Sequence, residues 1–219
     1  MARRPHRLVS GRSVDRLINF SDAVVAVAVT VLVLPLVDIP GPSGDGTVWQ
    51  VLADNSGELF ALLFTFYVVV VMWLVHNRIF NDLVKYDSTI LWLNTTWLVG
   101  IVLLPWFSAM YGEGQDDHPS VGVLYWIVLA AISLTSWLMS RHLSQHPELL
   151  DPNTPRPNDA ERRAAKLRGP VLGAYFLLIA LTWQLLPAIA AWMALGIIPL
   201  SIWLRPAQSD TPAAQHDSE

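Results

Sequence analysis

Polar and titratable side chains interrupt the apolar segments of this chain at positions where they are able to meet. Asp22 lies inside the first apolar segment, His76 near the end of the second and Asn94 near the start of the third. A carboxylate within a membrane-spanning helix is costly unless it faces protein or water, so it usually serves function or assembly. A carboxylate accepts hydrogen bonds, and histidine and asparagine donate them. The chemistry that these residues support is ion passage, proton transfer or the assembly of helices.

The first apolar segment has two distinct faces. At about 100° per residue, four residues fall within a stripe about 60° wide, and Asp22 points about 110° from the centre of that stripe. The stripe consists of Ala23, Val27, Thr30 and Leu34. Its residue types alone are equally compatible with lipid, with protein packing or with a pore. We therefore expect the stripe and Asp22 to face different neighbours.

The second and third segments carry polar residues at a similar depth. Trp73, His76 and Asn77 share one face through three- and four-residue spacings, as do Asn94 and Trp97. Each has a simpler interpretation: a histidine near a span end is typical of packing, a tryptophan of the aromatic belt and an asparagine of inter-helix hydrogen bonding. Their combination predicts a network in which the carboxylate of the first segment accepts hydrogen bonds from these side chains.

These residues must be positioned by membrane-spanning helices. The chain has 219 residues, of which 53% are hydrophobic and 15% charged, well below the roughly 25% charge of soluble domains. Recurring apolar runs of about 20 residues predict helices, because backbone amides in hydrocarbon need partners within their own segment. The fold class is therefore predicted to be all-α integral membrane with six spans, near residues 18–38, 58–77, 88–109, 120–140, 170–186 and 188–204.

The basic residues predict the orientation of these spans. Cytoplasmic loops are enriched in Lys and Arg, and all 14 such residues fall on one side of the six-span arrangement. Both termini are therefore predicted to be cytoplasmic, in a multi-pass protein of the cell membrane whose outer loops are acidic. The basic residues are Arg3, Arg4, Arg7, Arg12, Arg16, Arg78, Lys85, Arg141, Arg156, Arg162, Arg163, Lys166, Arg168 and Arg205.

The chain is predicted to form one membrane domain with short flanking segments. Residues 1–17 are a basic cytoplasmic N-terminus, and 18–204 form the six-helix domain. Within it, 142–168 is predicted to be an irregular linker that ends in a short amphipathic helix. Residues 205–219 are predicted to be a disordered cytoplasmic tail. The first span is too long for the apolar region of a signal peptide, so it is predicted to be retained.

Several function classes are disfavoured by the sequence. Cysteine is absent, which removes thiol nucleophiles and thiolate metal sites. No nucleotide-binding loop, metal-ligand set or nucleophile with a base is present, so no catalysis, resident metal or cofactor is expected. No basic stripe with interleaved aromatic residues indicates nucleic-acid binding. The sequence also contains no Thr-Val-Gly-Tyr-Gly filter, so no re-entrant selectivity-filter loop is expected.

The start of the first span resembles a known family signature. Arg16-x-x-x-Phe20-Ser21-Asp22, followed by a long apolar run, resembles the Arg-x-x-x-Phe-Ser-Asp motif of the transmembrane protein 175 family of endosomal and lysosomal potassium channels and their prokaryotic relatives. Trp73-x-x-His76 and Asn94 resemble features of that family's second and third helices. The specific motifs lie in residues 16–97, although the six-span layout is similar throughout.

The resemblance implies a homotetramer in which the first helix of each subunit lines a central pore. It implies that Val27 forms a hydrophobic constriction, Thr30 a threonine layer and Leu34 a second apolar ring. It also implies that the signature and network residues brace the helices without contacting the ion. These residues are Arg16, Phe20, Ser21, Asp22, Trp73, His76, Asn77, Asn94 and Trp97.

The expected function is passive permeation of potassium through this pore. Apolar rings gate by dewetting, and threonine hydroxyls partly replace the hydration shell of an ion. Lipid and monovalent cations are then the other partners. Two alternatives remain open from the residues: a proton-coupled transporter that titrates Asp22 and His76, and a membrane scaffold that transports nothing.

Overall fold

The computed structural model describes residues 9–113, 119–153 and 159–196. Within them the chain is almost entirely helical, with two very short strands, β1 (Val9–Ser10) and β2 (Lys85–Tyr86). A 3₁₀ turn, Pro147–Leu149, follows the sixth helix. The helices are α1 (Arg12–Val31), α2 (Leu34–Val37), α3 (Val48–Asp54), α4 (Ser56–Phe80), α5 (Ser88–Glu113), α6 (Pro119–Gln145), α7 (Asp159–Leu185) and α8 (Pro187–Leu195).

Among the residues that the structure describes, four segments are long and apolar enough to cross a membrane. They are Arg12–Val37, Ser56–Phe80, Ser88–Met110 and Ser120–Gln145, and they correspond to the first four predicted spans. The apolar part of α7, Gly169–Leu185, is shorter; at 1.5 Å per residue it reaches about 26 Å, against a hydrocarbon core of about 30 Å. The predicted N-terminal residues 1–8, the end of the sixth span and the tail 205–219 lie outside the described residues.

The first span is interrupted near its outer end. Helix α1 ends at Val31, the chain turns through Leu32 and Val33, and α2 begins at Leu34. Pro35 explains the interruption, because proline lacks an N–H and its ring clashes with the carbonyl four residues earlier, here that of Val31. The turn is held by hydrogen bonds between residues three apart, such as Val33 N to Thr30 O at 3.5 Å. The predicted span near residues 18–38 corresponds to the candidate membrane span Arg12–Val37, with this turn inside it.

A small strand layer joins three segments at one end of the bundle. Strand β1 pairs antiparallel with β2, with Val9 opposite Tyr86 and Ser10 opposite Lys85. The other side of the α4–α5 connection bonds to residues 149–151, through Val84 N to Leu149 O at 3.0 Å and Asp151 N to Asp82 O at 2.9 Å. Only Gly11, at φ +66°, separates β1 from α1. The sequence did not predict this layer, which ties the start of α1 to two other helix connections.

The linker between the fourth and fifth spans is more ordered than predicted. Helix α6 continues to Gln145, and the expected short amphipathic helix is the beginning of α7, which runs from Asp159 to Leu185 with Pro170 inside it. The fifth span was predicted to begin near residue 170, after the short amphipathic helix. In the structure Gly169 lies so close to Trp137 of α6 that an added side chain would overlap the indole. This close packing keeps the two parts of α7 in one helix against α6.

Candidate ion-conduction helix and its bracing network

A directional chain of hydrogen bonds joins α4, α5 and α1. The Oδ1 atom of Asn94 can only accept, so His76 donates to it from Nε2, at 2.7 Å. The amide of Asn94 donates from Nδ2 to Ser21 Oγ at 2.9 Å, and the Ser21 hydroxyl donates to Leu17 O at 2.9 Å. His76, Asn94 and Ser21 are all buried. These three donors therefore have acceptors inside the bundle, whereas the buried Nε1 of Trp97, also expected to donate, has none within the described part of the chain.

Aromatic rings enclose the imidazole at the start of this chain. The His76 ring stacks on Phe80 on one side and on Trp97 on the other, with centroid distances of 4.3 and 4.2 Å. His76 is 2% exposed. The ring is thus held on both faces and at Nε2, so its position is fixed by packing as well as by hydrogen bonding.

Asp22 makes a separate link between α1 and α4. Trp73 donates from its indole Nε1 to Asp22 Oδ1 at 2.8 Å. Hydrogen bonds to a charged acceptor are stronger than neutral ones, and the cost of leaving a half-buried carboxylate unpaired is larger still. Asp22 and Ser21 therefore attach α1 to the bundle through two different partners. Asn94 was expected to donate to Asp22, but it donates to the neighbouring Ser21. Asp22 accepts from Trp73 in its place.

The Ala23, Val27, Thr30 and Leu34 stripe lies on the uncovered side of α1. Val27 is 63% and Leu34 56% exposed, and Ala23 and Thr30 are exposed as well. Of the four long spans, this one is covered least, with 22% of its apolar window buried against 50% for the span in α6. The separation of Asp22 from the stripe agrees with the helical-wheel expectation. Leu34 lies beyond the interruption of α1, so its direction depends on the turn at Leu32 and Val33.

The Thr30 hydroxyl is exposed, although it bonds to its own helix. Its hydroxyl donates to Val27 O at 2.7 Å. Because that bond uses the one hydroxyl hydrogen, the lone pairs on Oγ1 remain available as acceptors on the exposed face. An acceptor of this kind suits a cation.

Three residues assigned to the bracing network lie outside it in the single chain. Asn77 is exposed, one position and about 100° beyond the buried His76. Arg16 and Phe20 are also exposed, because spacings of four and three residues place them on the same face as Ala23 and Val27. Among the described residues, none of the three has a hydrogen bond or ring contact. Within the described residues of one subunit these three make no such contact, so the bracing role assigned to them stays a prediction.

Comparison with known proteins identifies the family. The family model described as the endosomal/lysosomal potassium channel TMEM175 matches residues 16–105. A potassium channel of Streptomyces collinus is 30% identical over 152 residues, which are 68% of this chain and 72% of that protein. The chain belongs to the TMEM175 family. The human endosomal/lysosomal proton channel TMEM175 is 32% identical over 194 residues, 87% of this chain and 36% of the human protein, so the chain spans about a third of that relative.

A solved structure supports the fold of this TMEM175 member. The crystal structure of a lysosomal potassium-selective channel TMEM175 homolog from Chamaesiphon minutus superposes with a TM-score of 0.68 at 21% identity. It covers 89% of this chain and 97% of that one. The likeness extends well beyond residues 16–105, so the helices that follow the motif region also share the family architecture.

A second buried polar cluster in this TMEM175 member was not predicted. Thr65 donates to Ser108 Oγ at 2.9 Å, and Ser108 donates to Ala61 O at 3.1 Å. Tyr125 Oη lies 3.0 Å from Thr65 Oγ1 and supplies the donor there, since the Thr65 hydrogen is already used. The sequence feature that could have predicted this cluster was a polar residue, Thr65 or Ser108, within an apolar span. The cluster joins α4, α5 and α6 and so holds the scaffold on which α1 rests.

Asn94 is expected to be the residue that couples the bracing helices of this TMEM175 member. In Asn94→Leu the buried Nε2–H of His76 loses its acceptor, and an unsatisfied buried donor costs about 1–3 kcal/mol. We expect a melting temperature lower by several degrees than that of the wild type in detergent, measured by the loss of monodisperse protein on heating. Thr95→Val is the matched control, because the Thr95 hydroxyl is exposed and bonds only to Leu91 O. Equal melting temperatures for both variants would contradict this role.

Proposed function

We propose that this chain is a potassium-permeable cation channel and that it conducts passively through a homotetrameric pore lined by α1. The proposal combines membership of the family with one structural observation, the uncovered stripe on α1. In this arrangement four copies of Val27, Thr30 and Leu34 form successive rings along the ion path. Six spans per subunit, a cell-membrane location and cytoplasmic termini complete the proposal.

The stripe carries the argument because it contains an acceptor that lipid would not satisfy. Thr30 exposes hydroxyl lone pairs between two apolar positions, Val27 and Leu34. Four such oxygens around an axis offer a cation partial replacement for its water, whereas apolar rings on either side restrict hydration. The carboxylate of Asp22, which would bind a cation strongly, is turned toward Trp73. Because the carboxylate faces away from the path, the ion meets only weakly binding groups there, as rapid conduction requires.

The packing of His76 favours a channel over a proton-coupled transporter. A transporter of that kind would need Asp22 and His76 to exchange protons with water on alternate sides. His76 is stacked between two rings, bonded to Asn94 and 2% exposed, so almost none of its surface is open to water in this conformation. The scaffold alternative shares the bracing network but assigns no role to Thr30. Flux therefore separates the three functions.

Protons are the second candidate for the permeant ion, because the vertebrate relatives are named proton channels. The Thr30 hydroxyl bears on the choice, because it can join a file of water molecules as well as coordinate a metal cation. Potassium remains the primary proposal, since the Streptomyces collinus relative, of similar extent, is named a potassium channel.

The test is ion flux in liposomes that contain the purified protein. We expect potassium efflux well above that from empty vesicles, non-saturating with concentration and independent of a proton gradient. Native mass spectrometry or cross-linking of the same sample is expected to give four subunits. A pH-sensitive dye in a parallel sample measures proton flux. Folded tetramers that pass neither ion would refute the channel, and uptake that saturates and follows the pH gradient would indicate the transporter.

A further inference from the structure

An acid–histidine pair, in which Asp87 is buried and His142 is half-buried, lies at the strand-layer end of the bundle, away from the proposed ion path. His142 Nε2 of α6 is 2.8 Å from Asp87 Oδ2. Asp87 directly follows β2, is 4% exposed, and accepts a hydrogen bond on Oδ1 from Ile90 N at 2.9 Å. Asp87 thus caps the beginning of α5 with one oxygen and holds His142 with the other.

This pair is connected by short steps to the start of α1. Asp87 is the next residue after Tyr86, and Tyr86 pairs with Val9 across the strand layer. From β1 the chain enters α1 through the single residue Gly11. The opposite edge of the layer is bonded to residues 149–151, which follow His142 closely in sequence. A change in the distance between Asp87 and His142 therefore acts on both sides of the layer that holds α1.

We propose that Asp87 and His142 form a proton-binding site whose occupancy determines how firmly the strand layer holds the beginning of α1. With the proton bound, an imidazolium pairs with the carboxylate in a charge-assisted hydrogen bond. Without it, a neutral imidazole makes a weaker bond to the same oxygen. Histidine is the side chain that most readily gains or loses a proton near neutral pH, so this link weakens when the proton leaves.

Three other charged or titratable side chains near the pair have described contacts. His146 stacks on His142 at 4.2 Å between ring centroids and bonds to its carbonyl oxygen, but has no described contact with Asp87. Arg141 lies over the Trp137 ring. Asp151 accepts hydrogen bonds on Oδ1 from the backbone N and the side-chain Nδ2 of Asn153. The remaining charged residues of the neighbouring elements are Asp82 and Lys85 in the α4–α5 connection, Glu148 in the 3₁₀ turn and, by sequence, Asp159, Glu161, Arg162, Arg163, Lys166 and Arg168 in α7.

Hydrogen exchange in the full chain tests the proposal without relying on channel activity. After correction for intrinsic exchange rates, we expect the amides of residues 9–16 and 84–91 to exchange about fivefold faster at about pH 8 than at about pH 5.5, since the charge-assisted bond is the stronger one. His142→Gln keeps a donor that does not titrate, so this pH dependence is expected to disappear. His146→Gln is the matched control and is expected to retain it. An unchanged pH dependence in His142→Gln, or its loss only in His146→Gln, would overturn the proposal.

Asp87→Asn provides a second variant if His142→Gln does not fold. The asparagine keeps an acceptor for Ile90 N but removes the negative charge, so the same loss of pH dependence is expected and its persistence would refute the site. Coupling to conduction rests on the proposed channel function. Potassium flux in the wild type should then change at least about twofold when pH is varied on the side of the basic loops, and not in His142→Gln. Flux that lacks this response, with the exchange result intact, would limit the site to the strand layer.

Discussion

Thr30→Val is expected to lower potassium flux by about tenfold while leaving the tetramer intact. Valine has nearly the shape of threonine but no hydroxyl, so the acceptor between Val27 and Leu34 is lost from every subunit. A barrier higher by about 1.4 kcal/mol across the whole ring suffices for a tenfold change. The measurement is potassium efflux from liposomes at equal protein content, together with the ratio of potassium to sodium permeability.

Thr30→Ser is the matched control for this substitution. Serine keeps the hydroxyl and its bond to the backbone carbonyl, so we expect the potassium flux to differ from that of the wild type by no more than about twofold. Size-exclusion profiles of both variants should match that of the native protein, because Thr30 is exposed in the subunit. A valine variant with native flux and native ion preference would place Thr30 outside the ion path and return the stripe to lipid or to subunit packing.

Asp22→Ala is expected to reduce the yield of assembled protein more than it alters ion preference. The substitution leaves the Trp73 indole N–H without its acceptor, which costs about 1–3 kcal/mol per subunit. The orientation of α1 then depends on Ser21, the strand layer at its beginning and apolar contacts. The measurements are the fraction of tetramer after detergent extraction and the melting temperature of what remains.

A double-mutant cycle with Trp73→Phe separates the bond from the general effect of either substitution. If the Asp22–Trp73 bond is what matters, the double variant should be little less stable than Asp22→Ala alone, because both remove the same interaction. Asp22→Asn, which keeps an acceptor, should fall between Asp22→Ala and the native protein. Unchanged assembly with abolished ion preference would instead put Asp22 in the ion path.

The motif region was predictable because its residues lie at helical spacings within single segments. The separation of Asp22 from the stripe needed only the 100° step of a helix, and the structure places the two as that step implies. The partner of Asn94 was harder to predict, since Ser21 and Asp22 are adjacent and differ by only one step in direction. Which of them meets α5 depends on how α1 packs, which sequence periodicity does not specify.

Other features depended on contacts between distant segments. Asp87 is recognisable as a helix cap from its place before Ser88, but its pairing with His142 joins residues 55 positions apart. The strand layer consists of two-residue strands, too short for any alternation to be visible. Pro35 was visible in the sequence, but the span near residues 18–38 was predicted from the apolar run around it. Arg16, Phe20 and Asn77 are exposed in the single subunit, so no contact described within it reveals a bracing role for them.

The bracing of α1 also has a consequence for biosynthesis. Ser21 bonds to Asn94, which is made 73 residues later, and the partner of Asp22 is made 51 residues later. At ribosomal speeds of about 5–20 residues per second, roughly 4 to 15 s separate the synthesis of Ser21 from that of Asn94. During this interval the first helix must stay in the bilayer through its apolar residues alone, with its carboxylate still unpaired. The long run of valine and alanine after Asp22 therefore serves insertion before it serves the assembled protein.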